Sequence, residues 1–296
     1  MVRFEVPEVD YTRYTNRQLA AVPVALLAVA LLIIAGWYVA TGTPVALGVD
    51  FTGGTEVQIR TTDSAEQVRA TFEERVPYPV ESVQAVGLGE SDQYIVTFQA
   101  TKDSQVREIT AAASDAGYDV LASQSRSPTF GADAQRQALL GVGAAFVGMS
   151  VLVFLLFRTF VPSLAVVASA FSDIVIPVAL MNLFGIKLSL GTVAALLMLI
   201  GYSVDSDILL NNHVLRRSGG FYESTYRAMR TGVTMTLTSI AAMAVMTVVA
   251  SPFVFGIPLL PEIGLILVFG LTADLVNTYL LNVSLLRYYK YEGVAR

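Results

Sequence analysis

Long apolar runs alternate along the chain with one extended polar segment. Six runs of about 20 residues, enough to cross about 30 Å of hydrocarbon, predict six membrane-spanning helices. Their predicted bounds are 19–40, 138–157, 163–184, 188–210, 231–250 and 263–286. No small-residue cleavage site follows the first run, so we interpret it as a permanent span and not as a removable signal peptide.

The polar segment, residues 41–137, follows a different pattern. A strand-like alternation at 55–60 precedes a helical pattern at 64–76, and two strand-like stretches then flank the turn at 89–91. A second helical pattern at 103–116 and a last strand at 118–124 complete the segment. The order β-α-β-β-α-β predicts an α+β ferredoxin-like domain, in which two helices cover one face of an antiparallel sheet. The predicted fold class is an α-helical membrane protein with six transmembrane helices plus this domain.

Lys and Arg residues in the short connections predict the orientation. If the N-terminus is inside, the short outer loops carry only Lys187. We therefore predict a cytoplasmic N-terminus (1–18), a first span (19–40), an extracytoplasmic domain (41–137), a five-helix membrane bundle (138–288) and a cytoplasmic tail (289–296). The basic residues then inside are Arg3, Arg13, Arg17, Arg158, Arg216, Arg217, Arg227, Arg230, Arg287, Lys290 and Arg296.

The composition supports a membrane location and excludes several function classes. A mean hydropathy of +0.60 with 54% hydrophobic residues exceeds what one soluble core buries, so apolar surface must face the lipid bilayer. The chain has no cysteine and one histidine, His213, which argues against disulfides, metal sites and cofactors. No polar segment combines a nucleophile, a base and an orienting group, so we predict that it is not an enzyme.

The charge distribution adds two predictions. The polar segment holds twice as many acidic as basic residues, so we predict no nucleic-acid partner. The whole chain has a net charge of −5, and its only lysines are Lys102, Lys187 and Lys290. An acidic, lysine-poor surface suits a salt-loving organism.

Charged side chains interrupt the predicted spans. Asp173 and Asp274 lie near the middle of the third and sixth spans, where an ionised aspartate costs about 2.5 to 3.5 kcal/mol on insertion scales. Asp205 and Asp207 lie near the inner end of the fourth span, and Arg230 opens the fifth. Such groups should face the bundle. They either form an ion-coupling network or only join helices through hydrogen bonds.

The stretch GVDFTGGT, residues 48–55, stands between the first span and the first strand. Its paired glycines resemble a phosphate loop, but no Lys-Ser/Thr follows them and the next element is a strand rather than a helix. We interpret Gly53 and Gly54 as a bend or bulge at which only glycine tolerates a positive φ.

GVDFTGGT directly after a first span is similar to the signature of the SecF family, the smaller partners of SecD in protein export. The arrangement of one span, an external ferredoxin-like domain and five further spans is also that of this family, an RND-like half bundle. Archaeal members of the family look closer to this chain's pattern than bacterial members do. The residues that match the signature turn are Asp50, Phe51, Gly53, Gly54 and Thr55.

The resemblance also implies partners and a source of energy. Members of this family work with a SecD-like membrane subunit, the Sec translocon and the translocating polypeptide. They are thought to draw on the proton gradient, or in some members on the sodium gradient, to help exported chains leave the translocon. This implies a membrane-embedded network of carboxylates and arginine, for which the candidates are Asp173, Asp205, Asp207, Arg230 and Asp274.

The two aspartates of the fourth span are assigned different roles. Two residues on a helix are separated by about 200°, so Asp205 and Asp207 point in nearly opposite directions. GYSVDSD (201–207) resembles the family's Gly-Tyr-Ser-Ile-Asn-Asp-Thr, with departures, and Asp205 matches by register an aspartate of SecD. We predict that Asp205, Asp173 and Arg230 form the ion-responsive site. Asp207 is then mainly a packing residue.

Three function classes remain open. The first is an ion-driven, export-assisting subunit that works with a SecD-like partner. The second is half of an RND-type transporter of small molecules or ions, and the third is a non-transporting membrane assembly factor. Six spans are half of the usual RND unit, so the first two require a partner. Co-purification of a distinct second half favours the first.

Overall fold

The computed structural model describes residues 10–85, 92–216, 220–251, 254–255, 257 and 259–293. The helices are α1 (Asn16–Thr41), α2 (Val49–Thr52), α3 (Ala65–Arg75), α4 (Asp103–Asp115), α5 (Pro128–Phe157), α6 (Phe160–Phe184), α7 (Leu190–Arg216), α8 (Phe221–Ala250), α9 (Leu260–Val276) and α10 (Val283–Tyr288). The strands are β1 (Gly54–Arg60), β2 (Val80–Ala85), β3 (Gln93–Phe98) and β4 (Asp119–Arg126).

In the described part of the chain, six helical segments are long and apolar enough to cross a membrane, which confirms the predicted number of spans. They are α1, α5, α6, α7, α8 and the run from α9 to α10. Several extend beyond the predicted bounds: α5 begins at Pro128, α8 begins at Phe221 and α7 continues to Arg216. These additional turns carry polar side chains, so a search for apolar runs does not detect them.

The sixth span contains a π-helical turn, Asn277–Asn282, between α9 and α10. A π-helical turn widens the helix locally and often occurs at functional sites. Its side chains at Asn277, Thr278, Tyr279 and Asn282 are buried. Periodicity analysis assumes a regular α-helix, so this feature is not predicted from the sequence.

The helices of the bundle divide into a central and a peripheral group. In α6, α7 and the span that begins with α9, half or more of the most apolar stretch is buried inside the protein. In α1, α5 and α8, the buried share of that stretch is 17% or less. Leu32 on α1 and Leu155 on α5 are among the exposed apolar side chains. Lipid-facing surface is therefore concentrated on α1, α5 and α8, and polar groups that need burial belong on the other three.

The segment between α1 and α5 has the predicted ferredoxin-like topology. Its four strands have the order β2-β3-β1-β4, and every neighbouring pair is antiparallel. Side chains of α3 and α4, such as Phe72 and Ile109, pack with Val57, Val96 and Phe98 of the strands in one buried cluster. The turn predicted at 89–91 lies outside the described residues.

The opposite face of the sheet is polar and lies over the end of the membrane bundle. Lys187, in the loop between α6 and α7, donates hydrogen bonds to Ser82 Oγ (3.0 Å) and Thr97 Oγ1 (3.4 Å) on this face. Gln58 and Gln93 pair beside them through Nε2 and Oε1, at 3.3 Å. The domain therefore docks onto the bundle through polar contacts, unlike the apolar packing beneath its own helices.

The signature turn confirms the structural interpretation of its glycines. Gly53 and Gly54 have φ angles of 75° and 120°, which residues other than glycine rarely adopt. A Cβ atom on Gly53 would lie 2.7 Å from the backbone nitrogen of Pro128, and one on Gly54 would lie 2.7 Å from the carbonyl oxygen of Phe98. The glycines therefore permit the end of α2, the start of β1 and the start of α5 to meet.

Substituting Gly53 should show how strongly the fold depends on this close approach. Gly117 has a similar φ of 81°, but a Cβ atom added there would meet no other atom within 4 Å, so Gly117→Ala introduces only backbone strain, about 1 to 3 kcal/mol. Gly53→Ala adds a backbone clash to that strain. We expect a larger fall in the thermal unfolding midpoint for Gly53→Ala. Equal falls for the two variants would show that the contact with Pro128 is unimportant.

Candidate functional site

Three carboxylates are buried where α6, α7 and α9 meet. Asp173 on α6 and Asp207 on α7 are 0% exposed, and Asp274 on α9 is 1% exposed. Within the described residues none of the three forms an ion pair. Burying an uncompensated carboxylate is unfavourable by several kcal/mol, so each of these groups requires hydrogen-bond donors or a compensating charge. The predictions that Asp173 and Asp274 face the bundle are confirmed.

Hydroxyl and amide groups from neighbouring helices hold Asp173. Ser203 Oγ of α7 donates to Asp173 Oδ2 at 2.6 Å. Asn277 Nδ2 of the π-helical turn donates to Asp173 Oδ1 at 2.5 Å. Asp173 therefore joins the third, fourth and sixth spans.

Asp207 and Asp274 share one hydroxyl group. Thr278 Oγ1 donates to Asp207 Oδ1 at 2.9 Å and lies 3.3 Å from Asp274 Oδ1. Asn282 Nδ2 also donates to Asp207 Oδ1, at 2.8 Å, and Ser206 Oγ donates to Asp274 Oδ1 at 2.7 Å. The second carboxylate oxygens of Asp207 and Asp274 are buried without a hydrogen-bond partner. The two carboxylates thus form a connected pair in which one oxygen of each is unsatisfied.

The π-helical turn assembles this arrangement. On a regular α-helix, residues 278 and 282 lie on one side, whereas residue 277 is rotated about 100° away from 278. The widened turn directs Asn277, Thr278 and Asn282 together toward the carboxylates. Polar residues inside an apolar span were the available sequence signal, but their convergence required the tertiary structure.

The predicted ion-responsive site is not assembled within this chain. Asp205 and Arg230 are exposed, whereas Asp207 is buried near Asp173, so the predicted grouping of Asp205 and Arg230 with Asp173 is corrected. The face of α7 that carries Ser203, Asp207 and Asn211 is buried, which leaves Asp205 on the surface about 200° away. Asp207 accepts hydrogen bonds from Thr278 and Asn282 on this buried face, and its role as mainly a packing residue stays a prediction.

Arg230 lies within α8, which begins at Phe221, and does not open the span as predicted. Its side chain is exposed and forms no ion pair with Asp205 among the described residues. A basic group on the bundle surface is therefore available to a neighbouring protein or to lipid head groups, but not to the buried carboxylates of the same chain.

Asp50 of the signature turn links the membrane bundle to the ferredoxin-like domain. The backbone N–H of Leu190, the first residue of α7, donates to Asp50 Oδ2 at 3.0 Å. Gln124 of β4 donates to Asp50 Oδ1 at 3.1 Å, and Arg126 Nε lies 3.4 Å from the same oxygen. Asp50 is 5% exposed, so this carboxylate joins the sheet to the helix that carries Asp207.

The remaining signature residues complete the junction. Phe51 is buried against Ala134 of α5 and Val193 of α7. Thr55 Oγ1 donates to the carbonyl oxygen of Ala100 at 2.5 Å. The predicted signature turn is therefore a structural connection among α5, α7 and the sheet.

A small cavity of about 40 Å³ lies beside this junction. Glu56 of the sheet, Glu262 of α9 and Lys187 line it, together with Asp50. Burial raises the pKa of Glu56 above its usual 4.5, and the nearby Lys187 offsets part of that effect. The docking surface between domain and bundle thus contains a titratable group.

A helical bundle with six spans, a buried carboxylate network and a ferredoxin-like domain after the first span defines a class of multi-pass membrane protein. The profile described as "Protein export membrane protein SecD/SecF, C-terminal" matches residues 106–292, and the profile "SecD/SecF GG Motif" matches residues 39–65. The chain belongs to the SecF family of protein-export membrane proteins.

Individual relatives agree with this assignment. The protein-export membrane protein SecF of Haloferax volcanii is 68% identical over 296 residues, which covers 100% of both chains. The SecF protein of Pyrococcus furiosus is 38% identical over 92% of this chain and 90% of its own. The crystal structure of SecDF from Thermus thermophilus matches with a TM-score of 0.75 and 21% identity. The match covers 98% of this chain but 40% of that protein, and it shows the fold.

The raised pKa of Glu56 predicts a pH-dependent stability. The folded protein holds the Glu56 proton more tightly than the unfolded chain, so the stability that this group contributes is fully present below pH 4.5 and is lost as the pH rises through the folded pKa. We expect Glu56→Gln to raise the thermal unfolding midpoint at about pH 8 and to change it little at about pH 4. The exposed Glu74→Gln is the matched control. A pH-independent effect of Glu56→Gln would contradict the prediction.

Proposed function

We propose that this chain is the SecF subunit that assists protein export across the cytoplasmic membrane together with a SecD-like subunit. The observation that carries the proposal is the 68% identity, over the whole of both chains, to a protein-export membrane protein SecF. The expected partners are the SecD-like subunit, the Sec translocon and the translocating polypeptide. No catalytic group or cofactor is required for this role.

The proposed orientation places both termini in the cytoplasm and the ferredoxin-like domain outside. The distribution of Lys and Arg supports it, because the connections α5–α6 and α7–α8 carry Arg158 and Arg217 while the short opposite loops carry only Lys187. This orientation exposes the ferredoxin-like domain on the side where exported chains emerge.

The buried carboxylates are the proposed link to the transmembrane gradient. A group at this depth that binds and releases a proton or cation senses the membrane potential, and one charge moved through the full potential yields about 2.3 kcal/mol per 100 mV. This energy is sufficient to bias an equilibrium between two conformations. Asp207 lies on α7, whose first residue is tied to Asp50, so a change at the carboxylates has a direct route to the external domain.

The surface of α7 is the proposed contact with the SecD-like subunit. Asp205 and Gly201 are exposed on this helix. An ionised aspartate that faces lipid is unfavourable by about 2.5 to 3.5 kcal/mol at the bilayer centre and by less toward the inner end of the span, where Asp205 lies. A partner helix that covers this face would remove Asp205 from lipid. Arg230 on α8 is also exposed and available to such a partner.

The two alternative functions make different predictions. Half of an RND-type transporter would co-purify with copies of itself and carry a small molecule or ion without any effect on export. A non-transporting assembly factor would tolerate neutral substitutions at the buried aspartates. Retention of a distinct SecD-like chain during purification supports the proposed function over the first alternative.

The proposed orientation is testable because the chain has no cysteine of its own. Asp115 is exposed on α4, and Arg227 is exposed near the start of α8. We expect a membrane-impermeant maleimide to label Asp115→Cys in intact cells and Arg227→Cys only after the membrane is opened. Gln58 is unsuitable because it is 6% exposed. Labelling of Arg227→Cys in intact cells would refute the orientation.

The function itself is testable by gradient-dependent export in membrane vesicles. We expect Asp207→Asn and Asp205→Asn each to lower the gradient-dependent component about tenfold or more, comparable with about 1.4 kcal/mol of lost coupling. The two variants should act for different reasons. Asp205→Asn should also reduce the amount of SecD-like subunit that co-purifies, whereas Asp207→Asn should leave that amount unchanged. The exposed external variant Asp115→Asn should leave both quantities unchanged.

Equal membrane levels of the variants are required for this comparison. Full gradient-dependent export by Asp207→Asn would refute the role of the buried carboxylates. Normal retention of the SecD-like subunit by Asp205→Asn would refute the proposed contribution of Asp205 to the contact.

A further inference from the structure

The short segment before α1, residues 10–15, packs against the end of the bundle at which α10 stops. Tyr11 is its buried residue, at 4% exposure, and shares one apolar cluster with Leu210 of α7, Met229 of α8 and Leu286 of α10. Three spans therefore enclose the Tyr11 ring. This packing places the Tyr11 hydroxyl group inside the protein, where a donor without an acceptor is unfavourable.

The Tyr11 hydroxyl contacts the backbone of the π-helical turn. Its oxygen lies 3.0 Å from the carbonyl oxygen of Tyr279 and 3.0 Å from Met229 Sδ. A hydroxyl has one proton to donate and a thioether is a weak acceptor, so the carbonyl oxygen is the better partner. On a regular α-helix the N–H of Val283 would donate to this carbonyl, but here it donates to Leu280. Tyr11 thus serves a carbonyl that has lost its regular α-helical partner.

Tyr279 lies between the residues that hold Asp207. Thr278 precedes Tyr279 and Asn282 follows it, and both donate to Asp207 Oδ1. The Tyr279 ring packs against α8, where a Cβ atom on Gly232 would collide with the Tyr279 hydroxyl. The backbone and the ring of Tyr279 are therefore both fixed by groups outside the sixth span. A shift of this residue would move the two donors away from Asp207.

Arg287 fixes the segment 10–15 at a second level of the sixth span, about two turns after Tyr279. Its guanidinium group donates to the backbone oxygens of Tyr11 and Tyr14, both at 2.8 Å, and to the side chain of Asn16. Arg287 is 9% exposed and forms no ion pair within the described residues, so these acceptors replace the water that its guanidinium group loses on burial.

We propose that Tyr11 is a positioning residue for the buried carboxylates, because its hydroxyl holds the carbonyl oxygen of Tyr279 and thereby the π-helical turn. This role rests on the proposed function, since it adds the segment 10–15 to the machinery that links the gradient to export. A simple anchor for this segment requires only the apolar ring of Tyr11 and the hydrogen bonds of Arg287. The hydroxyl would then be dispensable for export, which separates the two roles.

Tyr11→Phe removes the hydroxyl and keeps the ring, so it tests this role with little change in packing. Export is measured in membrane vesicles over a series of imposed transmembrane gradients, which separates the maximal rate from the gradient that gives half of it. A loss of folded protein lowers only the maximal rate, whereas a displaced turn changes the gradient that is required. We expect Tyr11→Phe to require a gradient about twofold larger or more for half-maximal export.

Tyr288 provides the matched control, because it is exposed at the same end of the bundle. Tyr288→Phe should leave both the maximal rate and the half-maximal gradient unchanged. Arg287→Lys loses the planar fork that holds the segment 10–15, so it should also increase the gradient required for half-maximal export.

Amide hydrogen exchange tests the contact without any measurement of export. On the purified full chain with its SecD-like subunit, peptides that cover residues 277–283 should exchange about threefold faster or more in Tyr11→Phe, because the turn opens more readily. Peptides from β3 in the same sample should be unchanged. Tyr288→Phe should match the unsubstituted chain throughout.

The proposed role requires both changes in Tyr11→Phe. An unchanged half-maximal gradient would overturn it, even with faster exchange, because the turn would then move without consequence for export. Unchanged exchange would overturn it as well, because the hydroxyl would not hold the turn. Failure of the proposed function gives a different result: export by the unsubstituted chain would ignore the gradient, or Asp207→Asn would retain the full response.

Discussion

The burial of three carboxylates in an apolar bundle is the constraint on which the rest of the structure depends. Asp173, Asp207 and Asp274 have no basic partner among the described residues, so their stability requires hydroxyl and amide donors from neighbouring helices. That requirement explains why α6, α7 and α9 form the centre of the bundle. It also explains why the sixth span departs from regular α-helical geometry at Asn277–Asn282.

A second polar junction connects this centre to the external domain. Asp50 accepts a hydrogen bond from the first backbone N–H of α7 and another from Gln124 on β4. Negative side chains near a helix N-terminus are favourable because they satisfy free N–H groups and the helix dipole. The family signature thus has a physical meaning: its aspartate joins α7 to the sheet, and its glycines allow the backbones to approach.

Much of the fold was predictable because each element carries its own periodic pattern. The number of spans follows from bilayer thickness, and the β-α-β-β-α-β order follows from alternating and helical periodicities in the segment 55–124. The predicted positions of the helix ends were less accurate than the predicted number of helices. Pro128 and Phe221 begin polar turns at α5 and α8 that a hydropathy search does not count.

The sequence by itself determined the family, the residue types in the candidate site and the fact that Asp205 and Asp207 point apart. Only the tertiary structure decided which of the two is buried, since that depends on the face of α7 that packs against α6 and α9. It also decided that Asn277, Thr278 and Asn282 converge. Helical periodicity specifies angles within one helix, whereas the direction of the core is a property of all the helices packed together.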